Sequence, residues 1–357
     1  MDLTLMVMDF DFTLLGEAPA PLSLMVRRAY YEAGSFQMTV ERDADGLLAR
    51  DRVLYRPDKP EQAFLIHRVS RRGRRLTVDG TPLKGLARRR ICLPPLITGG
   101  AYNQFGYDLF TGDAESAYLH FAANNLTAPE DAARAIPRLV LGPNLHRGPE
   151  LPWQARFDSL CGLFEDIGAA TEVGWDIRPD FEGRRYVFGA WVGTDRTTGA
   201  GRCALSRELG NAGEMTVCED ASAAVTTVYA GGAGEDENRL ILSYGNENGG
   251  LDRYEAFEDC GSLDDAEMLE LAARRKLNAP ARSMTLEVLD GGLCRYGRDY
   301  DVGDVVTALG EGWRMDARLI AMQETWESGR RTLKATFGDP PLGVTELMRR
   351  ERRRVVR

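Results

Sequence analysis

One stretch of this chain returns near the other end of the sequence, and that return restricts the fold more than any other feature. The first copy runs Asp51–Tyr55, Phe64–Val69 and Gly73–Gly80; the second runs Asp304–Ala308, Ala317–Met322 and Gly329–Gly338. Each reads as a strand, a polar loop, a strand, a turn and a strand, and the turn in each carries Gly-Arg-Arg. Asp51 and Asp304 lie 253 positions apart and Gly73 and Gly329 lie 256 apart, so the register within the unit is nearly kept. The pattern predicts two β-meanders of one topology. Internal duplication explains it, and so does convergence, because alternation and glycine turns are all that a short meander needs.

A chain of 357 residues has room for two or three domains. No apolar run approaches the roughly 20 residues that span a bilayer, so no membrane segment is expected. Met1-Asp2-Leu3-Thr4 lacks a basic region ahead of an apolar stretch, which argues against a signal peptide. The six cysteines contain no C-x-x-C pair and read as small buried hydrophobes of a reducing compartment. The three histidines, His67, His120 and His146, lie far apart, so neither a metal nor a cofactor site is expected. Residues 1–97 and residues 341–357 are each net +4, whereas the whole chain is −9, which leaves −17 on residues 98–340. Such an acidic middle repels phosphates and disfavours a sequence-specific nucleic-acid groove. The end, Arg349–Arg357, reads as a basic, solvated tail.

In chain order, Leu3–Phe12 reads as extended, with Met8, Phe10 and Phe12 on one face and Asp9 and Asp11 on the other. Leu22–Tyr31 and Ser35–Val40 read as strands joined through Glu32-Ala33-Gly34, and Pro94-Pro95 with Gly99-Gly100 marks a boundary. Asp113–Asn125 reads as a helix capped by Asp113. Pro152–Ile167 reads as a second helix, on the spacing of Phe157, Leu160, Cys161, Phe164 and Ile167, with Gly168 after its end. Gly174–Arg178 and Arg185–Val192 form a hairpin. Val225–Ala230 is a strand, and Leu240–Ser243 and Tyr254–Phe257 are strands around the turn Asn246–Gly250. Ser262 opens a helix to about Asn278, and Met284–Leu289 is a strand.

The most catalytic-looking string is Leu5–Gly16, an apolar strand followed by D-x-D-x-T at Asp9, Asp11 and Thr13. It resembles the first motif of haloacid-dehalogenase-like phosphatases, which would make Asp9 the nucleophile and Asp11 the general acid. Two features oppose that alternative. Phe12 stands where those enzymes carry a glycine, and residues 20–97 read as successive strands rather than alternating strands and helices. A cell-wall hydrolase built on other carboxylates is a second enzymatic alternative, and no residue pattern selects its pair. Ala230–Gly234 has no G-K-[ST] ending and reads as a turn rather than a phosphate cradle. No catalytic, cofactor-binding or metal-binding residue is assigned.

Several segments, in order along the chain, carry a family resemblance: Arg28–Phe36, Ile136–Leu141, Gly193–Thr197, Val228–Glu235, Asp252–Glu255 and Tyr300–Val306. The chain resembles the hub proteins at the distal end of siphophage tails, from phages and prophages of Gram-positive hosts. The resemblance implies a mainly β fold with α+β parts, related to the baseplate hub of contractile tails. Its expected divisions are a first β-barrel domain at 1–97, an α+β middle domain at 98–230, a second β-barrel domain at 231–340 with a helix near 262–278, and a basic tail at 341–357. It implies a homotrimer in the virion tail tip, assembled in the host cytoplasm, without enzymatic activity. The implied partners are the tail tube or distal tail ring, tail-tip or fibre proteins, and the tape measure protein. Three chains with two barrels each would match a six-fold tube. Relatives carry their catalytic activity in extra C-terminal lysin domains, and a chain that stops at Arg357 is expected to lack one.

Overall fold

A computed structural model describes residues 3–43, 45–96, 102, 104–245, 247–261, 263–289 and 293–338. Gly99, Gly100, Asn246, Ser262 and the basic tail, all used in the sequence reading, lie outside the described residues. The fold is mainly β, as expected, and divides into two compact units. One comprises residues 1–213 and 287–335; the other comprises 214–286 and 336–357.

The larger unit begins with β1 (Met6–Met8), β2 (Leu14–Glu17), β3 (Pro21–Ala29) and β4 (Ser35–Val40). The first meander follows as β5 (Val53–Arg56), β6 (Lys59–Arg72) and β7 (Arg75–Pro82). These strands pair antiparallel in the order β3-β4-β7-β6-β5-β1-β2. Alternate residues point inward, as a pleated strand requires. Leu24 and Val26, Phe36, Met38 and Val40, Phe64 and Ile66, and Leu76 and Val78 form one buried cluster with Leu54 and Val7. Each such side chain stabilises the sheet by about 1.5–3 kcal/mol. The expected strand Leu3–Phe12 is shorter than its alternation suggests. It stops at Met8, and residues 9–12 turn back toward β2, with Phe12 in the left-handed region at φ 63°.

The middle of the chain supplies β8 (Asp108–Asp113), α1 (Ala114–Ala122), β9 (Leu139–Leu141), β10 (Glu150–Ala155), α2 (Leu160–Thr171), β11 (Gly174–Asp180) and β12 (Arg185–Trp191). Asp113 caps α1 as predicted, accepting from the Ser116 amide at 2.9 Å. The expected helix 152–167 needs correction. Residues Pro152–Ala155 belong to β10, paired with β8, and bury Trp153 and Ala155. The helix starts at its Ser159 cap and ends on Glu172, which takes φ 56°. Gly168 lies inside the helix, where a Cβ would meet the Tyr31 ring at 2.6 Å. The i, i+3, i+4 spacing was real from Leu160 onward, but Phe157 lies outside it and is exposed.

The smaller unit takes over after β13 (Ala204–Leu205), within β14 (Ala212–Asp220). It contains β15 (Thr227–Gly231), β16 (Ile241–Tyr244), β17 (Glu255–Asp259), α3 (Ala266–Lys276) and β18 (Ala281–Val288). Strands β16 and β17 do not pair with each other; they flank β15, β16 antiparallel and β17 parallel. One face of that sheet packs Val228 and Ala230 against Leu269, Ala272 and Ala273 of α3, whose cap is Asp265. The same unit pairs β14 with β18.

That closing segment is the second meander: β19 (Val305–Gly310), β20 (Trp313–Glu327) and β21 (Arg330–Gly338). The two meanders share their strand order. In each, a long central strand, β6 or β20, holds the preceding strand on one edge and the following strand on the other. The intervening glycines, Gly73 and Gly329, take φ 61° and 76°, as a tight turn after a long strand requires.

Candidate functional site

Three of the segments that carried the family resemblance, Arg28–Phe36, Gly193–Thr197 and Tyr300–Val306, converge at one joint of the larger unit. Strand β3 lies along the C-terminal half of β20, from Ala321 opposite Ala29 to Glu327 opposite Ser23. The chain leaving β3 then enters a knot of short contacts. Arg28 Nη1 donates to Asp301 Oδ1 at 2.7 Å and to the Tyr296 hydroxyl at 2.9 Å. The Tyr30 hydroxyl donates to the Trp191 carbonyl at 2.7 Å and accepts from the Gly193 amide at 3.2 Å. Asp304 accepts from the Thr194 amide at 2.7 Å and from Arg196 Nε at 3.2 Å. Thus Arg28–Gly34, Gly193–Thr197 and Tyr300–Val306, separated by more than 100 positions in sequence, form a single structural node. Burial pushes the Tyr296 hydroxyl well above its ordinary pKa, so it stays neutral as an acceptor for Arg28.

Two buried charges complete the node. Lys84 Nζ donates to the carbonyls of Ala29 at 2.9 Å and Tyr30 at 3.0 Å, and it sits 4.6 Å from the centre of the Trp175 ring. Burial pulls this ammonium down to about 8. On β20, the fully buried Glu324 accepts from Arg331 Nη2 at 2.8 Å and lies 3.9 Å from Arg56 Nη1 of β5. It therefore links the first meander to the second. Cys203 and Cys294, 5.6 Å apart between Cα atoms, form a disulfide, which corrects the expectation of six unpaired thiols. A pairing across 91 residues leaves no spacing signature in sequence.

The string behind the phosphatase alternative forms a turn. Asp9 Oδ1 accepts from the amides of Asp11 at 2.9 Å and Thr13 at 2.7 Å, and so pins the β1–β2 turn. Burial pushes its carboxyl up, but those backbone hydrogen bonds outweigh it and hold the group below the usual carboxylate range. Asp11 accepts from Arg138 Nε at 2.6 Å. Strand β1 is antiparallel to both of its neighbours, so the parallel strand–helix frame of the resembled phosphatases is missing around it. A Ser116–His146–Asp113 grouping also fails as a triad. Ser116 Oγ and Asp113 Oδ2 approach the same ring nitrogen, Nδ1, at 3.3 and 3.1 Å, whereas a triad uses both nitrogens. Among the described residues, no three His, Cys, Asp or Glu side chains group to hold a metal ion.

Such a node ties distant segments of the β framework together. No curated protein matches the sequence. Several solved structures share the fold over nearly the whole chain, among them three tail proteins. Prophage tail protein gp18 from Listeria monocytogenes EGD-e is 14% identical, covering 97% of each chain, with a TM-score of 0.57. The tail protein from Neisseria meningitidis MC58 is 15% identical, covering 95% of this chain and 97% of that one, with a TM-score of 0.58. The 43 kDa tail protein of prophage MuSo2 from Shewanella oneidensis is 9% identical, covering 94% and 98%, with a TM-score of 0.55. A sequence profile of the Siphovirus ReqiPepy6 Gp37-like proteins matches residues 4–339, and the chain belongs to that family.

Proposed function

We infer that this chain is a structural hub of a phage tail, residing in the virion at the tail tip. The observation that carries the reading is the duplicated meander, with its common strand order and its paired turn glycines, in a chain of this family. The finer reading is a homotrimer that closes the tail tube and adapts six-fold tube symmetry to a three-fold tip. A trimer of single meanders would leave half of a six-fold tube end without partners, whereas two meanders per chain supply six equivalent surfaces. Residues 1–97 and 231–340 serve on this reading as the two barrel domains, joined by 98–230. The tube or distal tail ring lies on one side, tip or fibre proteins on the other, and the tape measure protein ends at the hub. The solution mass of the purified chain tests the assembly, with about three times the 39.6 kDa chain mass expected. A monomer at tens of micromolar would sink the trimeric reading.

A further inference from the structure

We propose that an arginine-lined cavity on the larger unit binds the carboxylates of an acidic segment of another polypeptide. Arg88, Arg89, Arg90 and Arg134 surround about 320 Å³ of open space, and Ile91 and Ala133 complete its wall. All of these residues belong to one compact unit. Four guanidiniums in one cavity repel each other, and Arg90 is held below the ordinary arginine range by burial and by Arg134 and Arg89 beside it. Among the described residues, one carboxylate bonds any of the four. Asp51 accepts from Arg89, and it divides its charge with Arg50 at 3.3 Å. The fold nevertheless fixes two of the guanidiniums in place. Arg90 Nε donates to the Arg134 carbonyl at 2.7 Å and its Nη1 to the Arg89 carbonyl at 2.9 Å. Arg134 Nη2 donates to the Ile91 carbonyl at 2.7 Å and to Asn125 Oδ1 at 3.1 Å. Nη2 of Arg90 and Nη1 of Arg134 keep no protein partner among the described residues. Planar donors already held by backbone carbonyls receive a planar carboxylate with little further ordering.

The surroundings favour a polypeptide over a nucleic acid. Ile91 bridges Ser159 in antiparallel fashion, and the Phe157 amide donates to the Cys92 carbonyl at 2.7 Å, so Phe157 stands beside the wall of the cavity. Ile91 and Phe157 are 46% and 47% exposed. The Arg156 guanidinium lies 5.8 Å from the ring centres of both Phe157 and Tyr107, which extends the exposed apolar shelf and adds a charge to its rim. Apolar side chains interleaved with acids can rest on that shelf while their carboxylates enter the cavity. A nucleic-acid backbone would instead carry further phosphates past Asp51, past Asp131 on the Ala133 amide, and past Asp158 beside Cys92. Those carboxylates repel a continuous row of phosphates.

The test uses the full chain and two fluorescent probes, a short peptide of repeated Glu-Glu-Leu and a DNA duplex of matched charge. Anisotropy should show saturable binding of the peptide and none of its Gln-Gln-Leu counterpart. Arg88→Gln with Arg89→Gln removes two exposed guanidiniums from the cavity and should weaken peptide binding about tenfold. Arg74→Gln with Arg75→Gln removes the same charge from the exposed β6–β7 turn and should leave binding unchanged. Equal losses in the two variants would mean attraction by overall charge and overturn the site. Tighter binding of the duplex than of the peptide, or no binding of the peptide, overturns it as well. A peptide stoichiometry that falls as protein concentration rises would mean that a second copy fills the cavity, and overturns the proposed partner.

Discussion

One added carbon is enough to break the node at Gly193. A Cβ there falls inside the backbone of Gly303, and neither segment has a flexible side chain to yield. Gly329 differs in kind: its φ of 76° disfavours a side chain, but open space surrounds it. Gly329→Ala should therefore cost about 1 kcal/mol of backbone strain, and Gly193→Ala about 3 kcal/mol. Urea midpoints at unchanged slope measure both, and equal losses would refute the distinction. Lys84 gives a pH signature. Its ammonium is pulled down to about 8 by burial, below its ordinary value of 10.5. Between those pH values the unfolded chain holds a proton that the native chain has lost, so stability rises with pH there and is lost as pH falls through 8. Lys84→Met removes that rise. The difference in unfolding free energy between the two proteins should grow as pH rises from just below about 8 toward 10.5; a constant difference contradicts the assignment. The turn glycines were legible because Gly-Arg-Arg after an apolar run has few other uses. The role of Lys84 was not, since a lysine beside Leu83 and Leu86 reads as a surface residue until the carbonyls of Ala29 and Tyr30 are brought to it.

Strands were easier to read than helices, for a physical reason visible in two cases. The alternation of Phe36, Met38 and Val40 matches a pleated strand and nothing else, and β4 has the predicted bounds. The helical spacing of 157–167 continues by chance into a strand, because Trp153 and Ala155 also face inward. Only pairing with β8 decides between the two. Ion pairs were illegible, since partners such as Arg56 and Glu324 are chosen by topology. Their cost differs by setting. Glu324→Ala removes a fully buried carboxylate from between Arg331 and Arg56 and should destabilise by about 3–5 kcal/mol. Arg314→Ala breaks an exposed pair with Asp316 on the same strand and should cost less than about 1 kcal/mol. Thermal unfolding of both variants checks the order, and a reversed order would remove Glu324 from the framework. The disulfide is checked chemically. Denatured, unreduced protein should show four reactive thiols, Cys92, Cys161, Cys218 and Cys260, and six after reduction; six before reduction would refute the pairing.

At the scale of the molecule, the duplication makes a prediction about shape that solution mass cannot test. Two copies of one strand order per chain, joined through β3 and β20, give a trimer six copies of the same sheet. If the copies take equivalent places in the assembly, its projection down the axis has six similar lobes, with three-fold modulation from the unrepeated parts, α1, α2 and the β15–β17 sheet. The repeat was legible from the constant spacing of its glycines. The pairing of β3 with β20 was not, because strands so far apart in sequence leave no local signal of their partner. End-on class averages of the purified assembly by electron microscopy should show a six-fold rotational component beside the three-fold one. Averages with three-fold power alone would mean that the second meander has taken another place, and that the repeat records ancestry rather than symmetry matching.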